Sequence, residues 1–243
     1  MHKYSKNKDL APRDEVTRAI YEEMINSSAN YVYLDLASYA KVDIKKRFPT
    51  IYGTCLEYGI DITKEPIPVV PAAHYCCGGI LVNRWGNSSL KGLYAVGEVA
   101  CTGLHGANRL ASTSLLEGLI WGTRASQHIV SHFDPEKPYR LSEIHRWYYP
   151  EVEVEIDPAL IHQDWVSIRT LMWNYVGIIR NRKRLERARA DLDYLRHRID
   201  KFYKGAKMDP LVVGLKHGIQ VAWLIMFAAL SNPESRGAHY ITD

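Results

Sequence analysis

The chain has 243 residues, 47% of them hydrophobic and 24% charged, with a formal net charge of +4. This length and apolar content suffice for one or two folded domains, and the charge is too small to indicate a nucleic-acid-binding surface. The four cysteines lack zinc-type spacing, so we expect reduced packing residues and no metal site. The longest apolar run, Val221 to Leu230, is about half a membrane span and predicts a buried helix. With no signal-sequence pattern at the polar start, the expected location is the cytoplasm, away from any membrane.

The first 70 residues predict a largely helical segment. A helix is expected from Arg13 to about Ser27, and a short apolar stretch follows from Tyr31 to Leu36. Further helix is expected from about Asp43 to Glu57, ending before a stretch that contains glycine and two prolines.

A predicted strand follows in the next segment. Leu93 to Val96 is an apolar run between two glycines, which predicts a strand buried on both faces of a parallel sheet. Glu98 comes directly after it, where open α/β sheets bind ligands, and its carboxylate can accept hydrogen bonds from ribose or ribitol hydroxyls. A glutamate in a solvated loop is the equally weighted alternative.

The loop that follows has the composition of a ligand-binding turn. Gly103 and Gly106 allow the backbone to approach a ligand closely. Arg109 offers a planar fork of donors that suits a carboxylate, and His74 precedes a second glycine turn. A single histidine or arginine is more often structural, but this pair beside two glycine turns favours a binding site.

A helix start follows the loop. The hydroxyl residues from Ser112 to Ser114 and the acid Glu117 predict a capped amino-terminal end. The free N–H groups of such an end can stabilise negative charge at the N1 and C2=O edge of a reduced flavin. An ordinary capped helix is the alternative, and the position directly after the glycine loop favours the functional interpretation.

From about residue 140 the spacing predicts helices. Apolar residues recur every three or four positions from Ile168 to Phe202, which predicts one long amphipathic helix. A second helix is expected from about Asp209, with these residues facing inward: Leu211, Leu215, Ile219, Leu224 and Ala228.

Three further patterns lie in or near this part of the chain. The basic run from Arg180 to Arg189 is interspersed with acids and predicts a solvated helix face with i,i+4 ion pairs rather than a nucleic-acid site. The composition from Asp134 to Pro138 predicts a linker. Trp147, Tyr148 and Tyr149 predict a packed aromatic cluster.

Seven motifs along the chain point to a known family: Ala11–Asp14, Pro71–Tyr75, Gly92–Glu98, His105–Ser112, Met172–Trp173, Val176–Arg180 and Glu234–Tyr240. In these motifs the chain resembles the flavoprotein family of succinate dehydrogenase, fumarate reductase and L-aspartate oxidase, and most of all its L-aspartate oxidase branch. The other branches usually carry Gly-Gly where this chain has Ala111-Ser112. The resemblance covers nearly the whole chain but only about the second half of a family member, so a C-terminal fragment or split gene product is expected.

The resemblance implies a fold of the α/β plus all-α class. Residues 1–70 would be the tail of a capping domain, and residues 71–135 the C-terminal part of an FAD-binding Rossmann-like domain. Residues 136–243 would form a C-terminal helical bundle domain. The GxGxxG unit that holds the FAD pyrophosphate in this family has no counterpart in the sequence, so the missing N-terminal half is an expected partner.

The resemblance also implies a reaction and a set of site residues. Family members oxidise a C–C or C–N single bond of a four-carbon dicarboxylate by hydride transfer to FAD. The implied substrate is L-aspartate, with succinate or fumarate as analogues, and the product iminoaspartate would pass to quinolinate synthase on the route to NAD. Matched positions give Arg13 as the proton-transferring catalytic residue, His74 and Arg109 as the pair that binds one substrate carboxylate, and Glu98, Ser114 and Leu115 as FAD contacts.

Two alternatives remain open at this point. The chain could belong to a succinate dehydrogenase or fumarate reductase flavoprotein, or it could be a non-catalytic fragment that acts as a folding or interaction module.

Overall fold

The computed structural model describes residues 1–38, 43–134 and 155–243. The predicted linker lies outside these ranges except for Asp134, and the aromatic cluster at residues 147–149 lies outside them entirely. The chain divides into two compact units, Met1–His74 and Tyr75–Asp243. Its described part mixes helices with small two-stranded sheets.

The first unit contains the predicted amino-terminal helix. Helix α1 spans Arg13–Ser27, as predicted. Pro12 precedes it, and Asp14 and Glu15 place negative charge in the first turn, where the helix dipole favours it. Strand β1 (Val32–Leu34) lies in the predicted apolar stretch and pairs antiparallel with β2 (Ile67–Val69).

The helix predicted from Asp43 to Glu57 is interrupted. Helix α2 spans Ile44–Arg47 and α3 spans Pro49–Glu57. Pro49 restricts the residue before it and has no N–H with which to continue α2, so Phe48 leaves the helical region at φ −134° and ψ 56°.

The second unit begins with a small parallel sheet and a helix. Strands β3 (Ile80–Leu81) and β4 (Ala100–Cys101) pair in parallel, and α4 spans Ser114–His132. The strand predicted at residues 93–96 is wrong, because Tyr94 makes only an isolated bridge to Asn87. The glycines on both sides of this run adopt positive φ and turn the backbone at each end, which leaves the run too short for a ladder.

Three helices form the core of the rest of the second unit. These are α5 (Pro158–Val176), α6 (Arg182–Gly205) and α7 (Pro210–Ser231). The prediction of one long helix across α5 and α6 is wrong, because the chain turns at Gly177, where a Cβ would lie 2.2 Å from the Trp173 carbonyl oxygen. After the turn, β5 (Arg180–Asn181) pairs in parallel with β6 (Ile241–Thr242).

Helix α7 begins where the sequence predicts, but its buried face differs from the predicted one. The Asp209 carboxylate accepts the Leu211 N–H at 2.8 Å and caps the helix. Leu215 and Ile219 are buried as predicted, whereas the other three residues of the predicted face are exposed. The buried stripe is Val212, Leu215, Ile219, Ala222, Met226 and Ala229.

By length and composition alone, α7 could cross a membrane. Its buried stripe packs with α5 and α6 in one hydrophobic cluster, as in the core helix of a folded domain. The apolar run is therefore weak evidence for a membrane span.

The basic run forms a solvated face, as predicted, with one exception. Arg182 pairs with Glu186 at 2.9 Å and Arg189 with Asp193 at 3.8 Å, and all four side chains are exposed. Arg180 is different, because its Nε donates to the Val176 carbonyl at 2.9 Å and burial lowers the pKa of its guanidinium.

Candidate functional site

The loop between β4 and α4 exposes an open backbone surface. Gly103 and Gly106 have φ of 83° and 55°, and a Cβ at either position would meet nothing within 4 Å. Glycine is thus required here by the left-handed backbone and not by close packing against the described protein. Ser112 also has a positive φ, 62°, which is strained for a residue with a side chain.

One buried carboxylate ties this loop to its neighbours. Glu117, in the first turn of α4, is only 2% exposed. It accepts hydrogen bonds from the Thr102 hydroxyl at 2.5 Å and the Tyr75 hydroxyl at 2.6 Å, and His105 Nε2 lies 3.1 Å away. A buried charge is tolerated when it is fully hydrogen-bonded, and these three donors provide that.

The hydrogen bonds of His105 define its tautomer. Its Nδ1 accepts the Leu110 N–H at 3.2 Å, so the ring proton is on Nε2 and points to Glu117. With this assignment, one ring nitrogen of His105 donates to Glu117 and the other accepts from Leu110.

The surroundings of Glu117 favour its ionised form. Burial raises the pKa of Glu117, but hydrogen bonds from Thr102 and Tyr75 and the proximity of His105 outweigh it, so the pKa is lowered overall. Burial and the Glu117 carboxylate raise the pKa of Tyr75 to about 12, which keeps its hydroxyl a donor at neutral pH.

Arg109 is held on one side and open on the other. Its Nε donates to the Ser114 hydroxyl at 2.8 Å, and its guanidinium carbon lies 5.7 Å from the centre of the Tyr75 ring. Within the described residues its two terminal amino groups make no hydrogen bond, and the side chain is half-buried. This geometry leaves a pair of parallel donors for a carboxylate.

Glu98 is held differently from the prediction. It lies in a short 3₁₀ turn, Gly97–Val99, rather than at a strand end, and it is exposed. One of its oxygens accepts the Cys76 N–H at 2.9 Å. The segments that carry Cys76 and Glu98 also come close at Gly79, where a Cβ would lie 2.1 Å from the Val99 carbonyl oxygen.

The start of α4 lacks the predicted hydroxyl cap. Thr113 is the N-cap residue but makes no capping bond, because its hydroxyl donates to the Leu110 carbonyl at 2.9 Å, and the Ser114 hydroxyl accepts from Arg109. Among the residues that the structure describes, no N-cap side chain bonds to the amide groups of the first turn, which leaves them for another partner. Leu115 is 89% exposed beside them.

These features fit a flavin. The uncapped N–H groups at the start of α4 can donate to the electron-rich N1 and C2=O edge of a flavin. The exposed Leu115 can pack against the apolar flavin ring, and the backbone at Gly103 and Gly106 leaves space for it. Among the described residues, no group of three or more histidine, cysteine or acidic side chains could hold a metal ion. The four cysteines are free, and Cys76 is exposed, so the packing role predicted for it is wrong.

The other two predicted site residues belong to the first unit. Nη2 of Arg13, at the start of α1, donates to the Asp9 carbonyl at 2.5 Å and the Ala11 carbonyl at 2.8 Å. His74 is exposed in the segment that follows β2. Of the predicted site residues, Arg109 and Ser114 are therefore in direct contact in the second unit. Arg13 and His74 belong to the first unit.

Sequence reasoning missed the network around Glu117. The local pattern predicts only a first-turn acid at Glu117 and indicates no role for Thr102 or Tyr75. The available signal was an acid inside an otherwise apolar stretch, Leu115 to Ile120, where burial requires donors from elsewhere in the chain.

Comparison with known proteins identifies two family matches. The family described as FAD binding domain matches residues 1–115, and the fumarate reductase flavoprotein C-terminal family matches residues 166–243.

Curated relatives agree with these matches. The chain is 44% identical over 243 residues to L-aspartate oxidase 1 of Ralstonia nicotianae, covering 100% of this chain and 45% of the relative. It is 38% identical over 255 residues to the chloroplastic L-aspartate oxidase of Oryza sativa, covering 100% of this chain and 39% of the relative. The chain therefore spans less than half the length of these relatives.

Solved structures show the same family. A quinol-fumarate reductase with menaquinol superposes with a TM-score of 0.81 and 29% identity, covering 98% of this chain and 45% of that one. An E. coli quinol fumarate reductase gives a TM-score of 0.78 and 28% identity, covering 96% and 43%. The cofactor of this family is FAD, which agrees with the fit of the helix start. The chain belongs to the flavoprotein family that contains L-aspartate oxidase and fumarate reductase.

Proposed function

We propose that this chain is the substrate-binding part of an FAD-dependent L-aspartate oxidase, which converts L-aspartate to iminoaspartate. The proposal rests chiefly on Arg109. Its Nε is bonded to Ser114 at the uncapped start of α4, and its two terminal amino groups remain available for a substrate carboxylate. Identities of 42–44% to bacterial L-aspartate oxidases, against 28–29% to fumarate reductases, favour L-aspartate over succinate as substrate.

Each site residue has a role in this proposal. Arg109 and His74 bind one substrate carboxylate, and Ser114 and Tyr75 orient the Arg109 fork. Arg13 transfers the proton at the reacting carbon. A guanidinium holds its proton strongly, so this role requires an environment that favours transient deprotonation.

Three residues would hold the cofactor. Glu98 has a carboxylate oxygen beyond the one bonded to Cys76 and can accept from a ribose or ribitol hydroxyl. Ser114 and Leu115 bring the first turn of α4 to the flavin edge. When bound, FAD accepts the hydride that leaves the substrate carbon.

The domain arrangement is part of the proposal. Residues 1–70 would be the tail of the capping domain, 71–135 the end of the FAD-binding domain and 136–243 the helical domain. The rest of the FAD-binding domain would come from the part of the relatives' length that this chain does not span. Iminoaspartate would pass to quinolinate synthase, and the reaction would take place in the cytoplasm.

A chimera tests the function directly. This chain would replace the matched segment of the Ralstonia nicotianae oxidase, with the unaltered oxidase as the positive control. We expect L-aspartate to bleach the flavin absorbance of the chimera and succinate to do so more slowly. Preference for succinate would favour a dehydrogenase or reductase. A folded, flavin-loaded chimera inert to both would favour a non-catalytic module.

A further inference from the structure

The carboxy-terminal segment of the chain contacts the loop that carries Arg109. We call Glu234–Tyr240 the C-terminal turn. The Ala238 N–H donates to the Ala107 carbonyl at 2.9 Å. Gly237 lies against the same residue, since a Cβ there would be 2.4 Å from the Ala107 oxygen and 2.9 Å from its Cβ. The two backbones therefore touch, and only glycine permits the approach.

The C-terminal turn is closed by its own hydrogen bonds. The Arg236 N–H donates to the His239 carbonyl at 2.8 Å, and the His239 N–H donates back to the Arg236 carbonyl at 3.1 Å. The Ser235 hydroxyl donates to the Ile241 carbonyl and accepts the Ile241 N–H, each at 2.9 Å. These bonds fix the shape of the segment that meets Ala107.

The turn is also anchored to the helical core. His239 Nε2 donates to the Asn232 carbonyl at 2.9 Å, so Nδ1 is free to accept from Arg180 Nη1 at 2.6 Å. Arg180 in turn donates to the Val176 carbonyl at the end of α5. A continuous series of hydrogen bonds thus leads from α5 through Arg180 and His239 to the turn.

We propose that the C-terminal turn is a positioning element for Arg109. Ala107 lies two residues before Arg109, and the bond between the Leu110 N–H and His105 closes the loop around both. A shift of Ala107 would therefore move the guanidinium relative to the carboxylate it binds. The proposal rests on the proposed function, because the role of Arg109 in substrate binding is part of it.

Paired glycine variants of the chimera test this role. Gly237→Ala forces the Ala107 backbone to move, whereas Gly59→Ala carries the same positive-φ strain, with φ 79° and nothing within 4 Å of its Cβ. We expect Gly237→Ala to raise the KM for L-aspartate about 10-fold or more, as expected when a charge-assisted hydrogen bond is lost. Flavin content should change little, and Gly59→Ala should leave KM unchanged. An unchanged KM in Gly237→Ala, or an equal rise in both variants, would overturn the proposal.

A second pair of variants covers the case in which Gly237→Ala does not fold. His239→Ala cuts the link to Arg180 without inserting an atom at Ala107, and it should raise KM in the same direction. His239→Gln keeps one donor and one acceptor and should restore much of the wild-type KM. If the alanine and glutamine variants behave alike, the link between Arg180 and the turn has no positioning role.

Hydrogen exchange on the 243-residue chain tests this inference independently of the proposed function, because it does not depend on oxidase activity. We expect Gly237→Ala to accelerate exchange at residues 103–113 about 10-fold, with no change in α6 and α7. If the parent chimera does not oxidise L-aspartate, the proposed function fails, and exchange alone decides whether the turn orders the loop. Unchanged exchange at residues 103–113 would overturn the inference.

Discussion

At the residue scale, Glu117 determines how the candidate site is built. It is a buried carboxylate with three donors from two segments of the chain: Tyr75 before β3, and Thr102 and His105 in the loop between β4 and α4. Since all three donors point to it, an amide in place of the carboxylate would turn an N–H₂ group towards at least one of them. The charge is thus required by the arrangement of the donors.

Glu117→Gln should therefore destabilise the chain by about 1–3 kcal/mol at pH 7. Because its pKa is lowered in the folded state, Glu117 contributes stability above the ordinary glutamate pKa of 4.5 and loses it as pH falls through the folded pKa. The difference between wild type and variant should shrink below about pH 4, which thermal denaturation across pH would measure. Glu186→Gln, at an exposed ion pair, is the control and should change stability by less than about 0.5 kcal/mol. An equal effect of both variants would contradict the role given to Glu117.

Substrate binding at Arg109 should depend on the planar shape of the guanidinium as well as on its charge. Arg109→Lys keeps the charge but loses the Nε bond to Ser114 and the two-pronged fork. In the chimera we expect the dissociation constant for L-aspartate to rise roughly 10- to 100-fold, with flavin content near normal. Titration of the flavin spectrum with substrate gives both quantities. Unchanged affinity would remove Arg109 from the carboxylate site.

A variant of Arg13 can distinguish a role in proton transfer from a role in substrate binding. Its guanidinium donates to two backbone carbonyls just before α1, which fixes its position without neutralising its charge. Arg13→Gln in the chimera should lower kcat by more than about 100-fold, the low end for general acid–base groups. Substrate affinity should fall much less. A collapse of affinity with turnover of bound substrate preserved would instead make Arg13 a carboxylate binder.

At the scale of elements, α7 packs tightly against α5 at one glycine. A Cβ at Gly218 of α7 would lie 2.2 Å from the Trp165 ring of α5, whereas a Cβ at Gly214, one turn earlier, would meet nothing within 4 Å. Glycine is thus required at one position and only tolerated at the other.

These two glycines give a matched pair of variants. Gly218→Ala should destabilise the chain by about 1–3 kcal/mol through overpacking. Gly214→Ala should stabilise it by up to about 1 kcal/mol, the helix-propensity difference between the residues. Denaturant unfolding of both variants measures the change in the free energy of unfolding, which should have opposite signs. Stabilisation by Gly218→Ala would show that α5 and α7 are not packed this closely.

At the scale of the whole molecule, α4 has an unusual distribution of side chains. It buries its Glu117 side and leaves Leu115, Leu119 and Val130 exposed. The relatives are more than twice as long, so we expect this aliphatic face to suit packing against a segment like the one that the relatives have and this chain does not span.

The isolated 243-residue chain should accordingly hold FAD weakly. It offers a helix start for the flavin ring but contains no GxGxxG loop for the pyrophosphate. Purification followed by gel filtration should give protein with much less than one FAD per chain, and absorbance measures the ratio. A yellow protein with stoichiometric FAD would contradict this expectation.

Features that depend on neighbours along the chain can be predicted from the sequence alone. The bounds of α1, the Asp209 cap of α7 and the ion pairs of α6 follow from local propensity, capping and i,i+4 spacing. The family followed from contiguous motifs, such as the one from His105 to Ser112.

Tertiary structure decided the features that depend on residues far apart in the chain. The expected strand at residues 93–96 did not form because glycine turns isolate it, and the single long helix broke where Gly177 meets Trp173. The network around Glu117 and the contact between Gly237 and Ala107 join residues up to 130 positions apart. Periodicity describes which side of an element is apolar, but which partner covers that side, and where two backbones touch, is settled only when the whole chain packs.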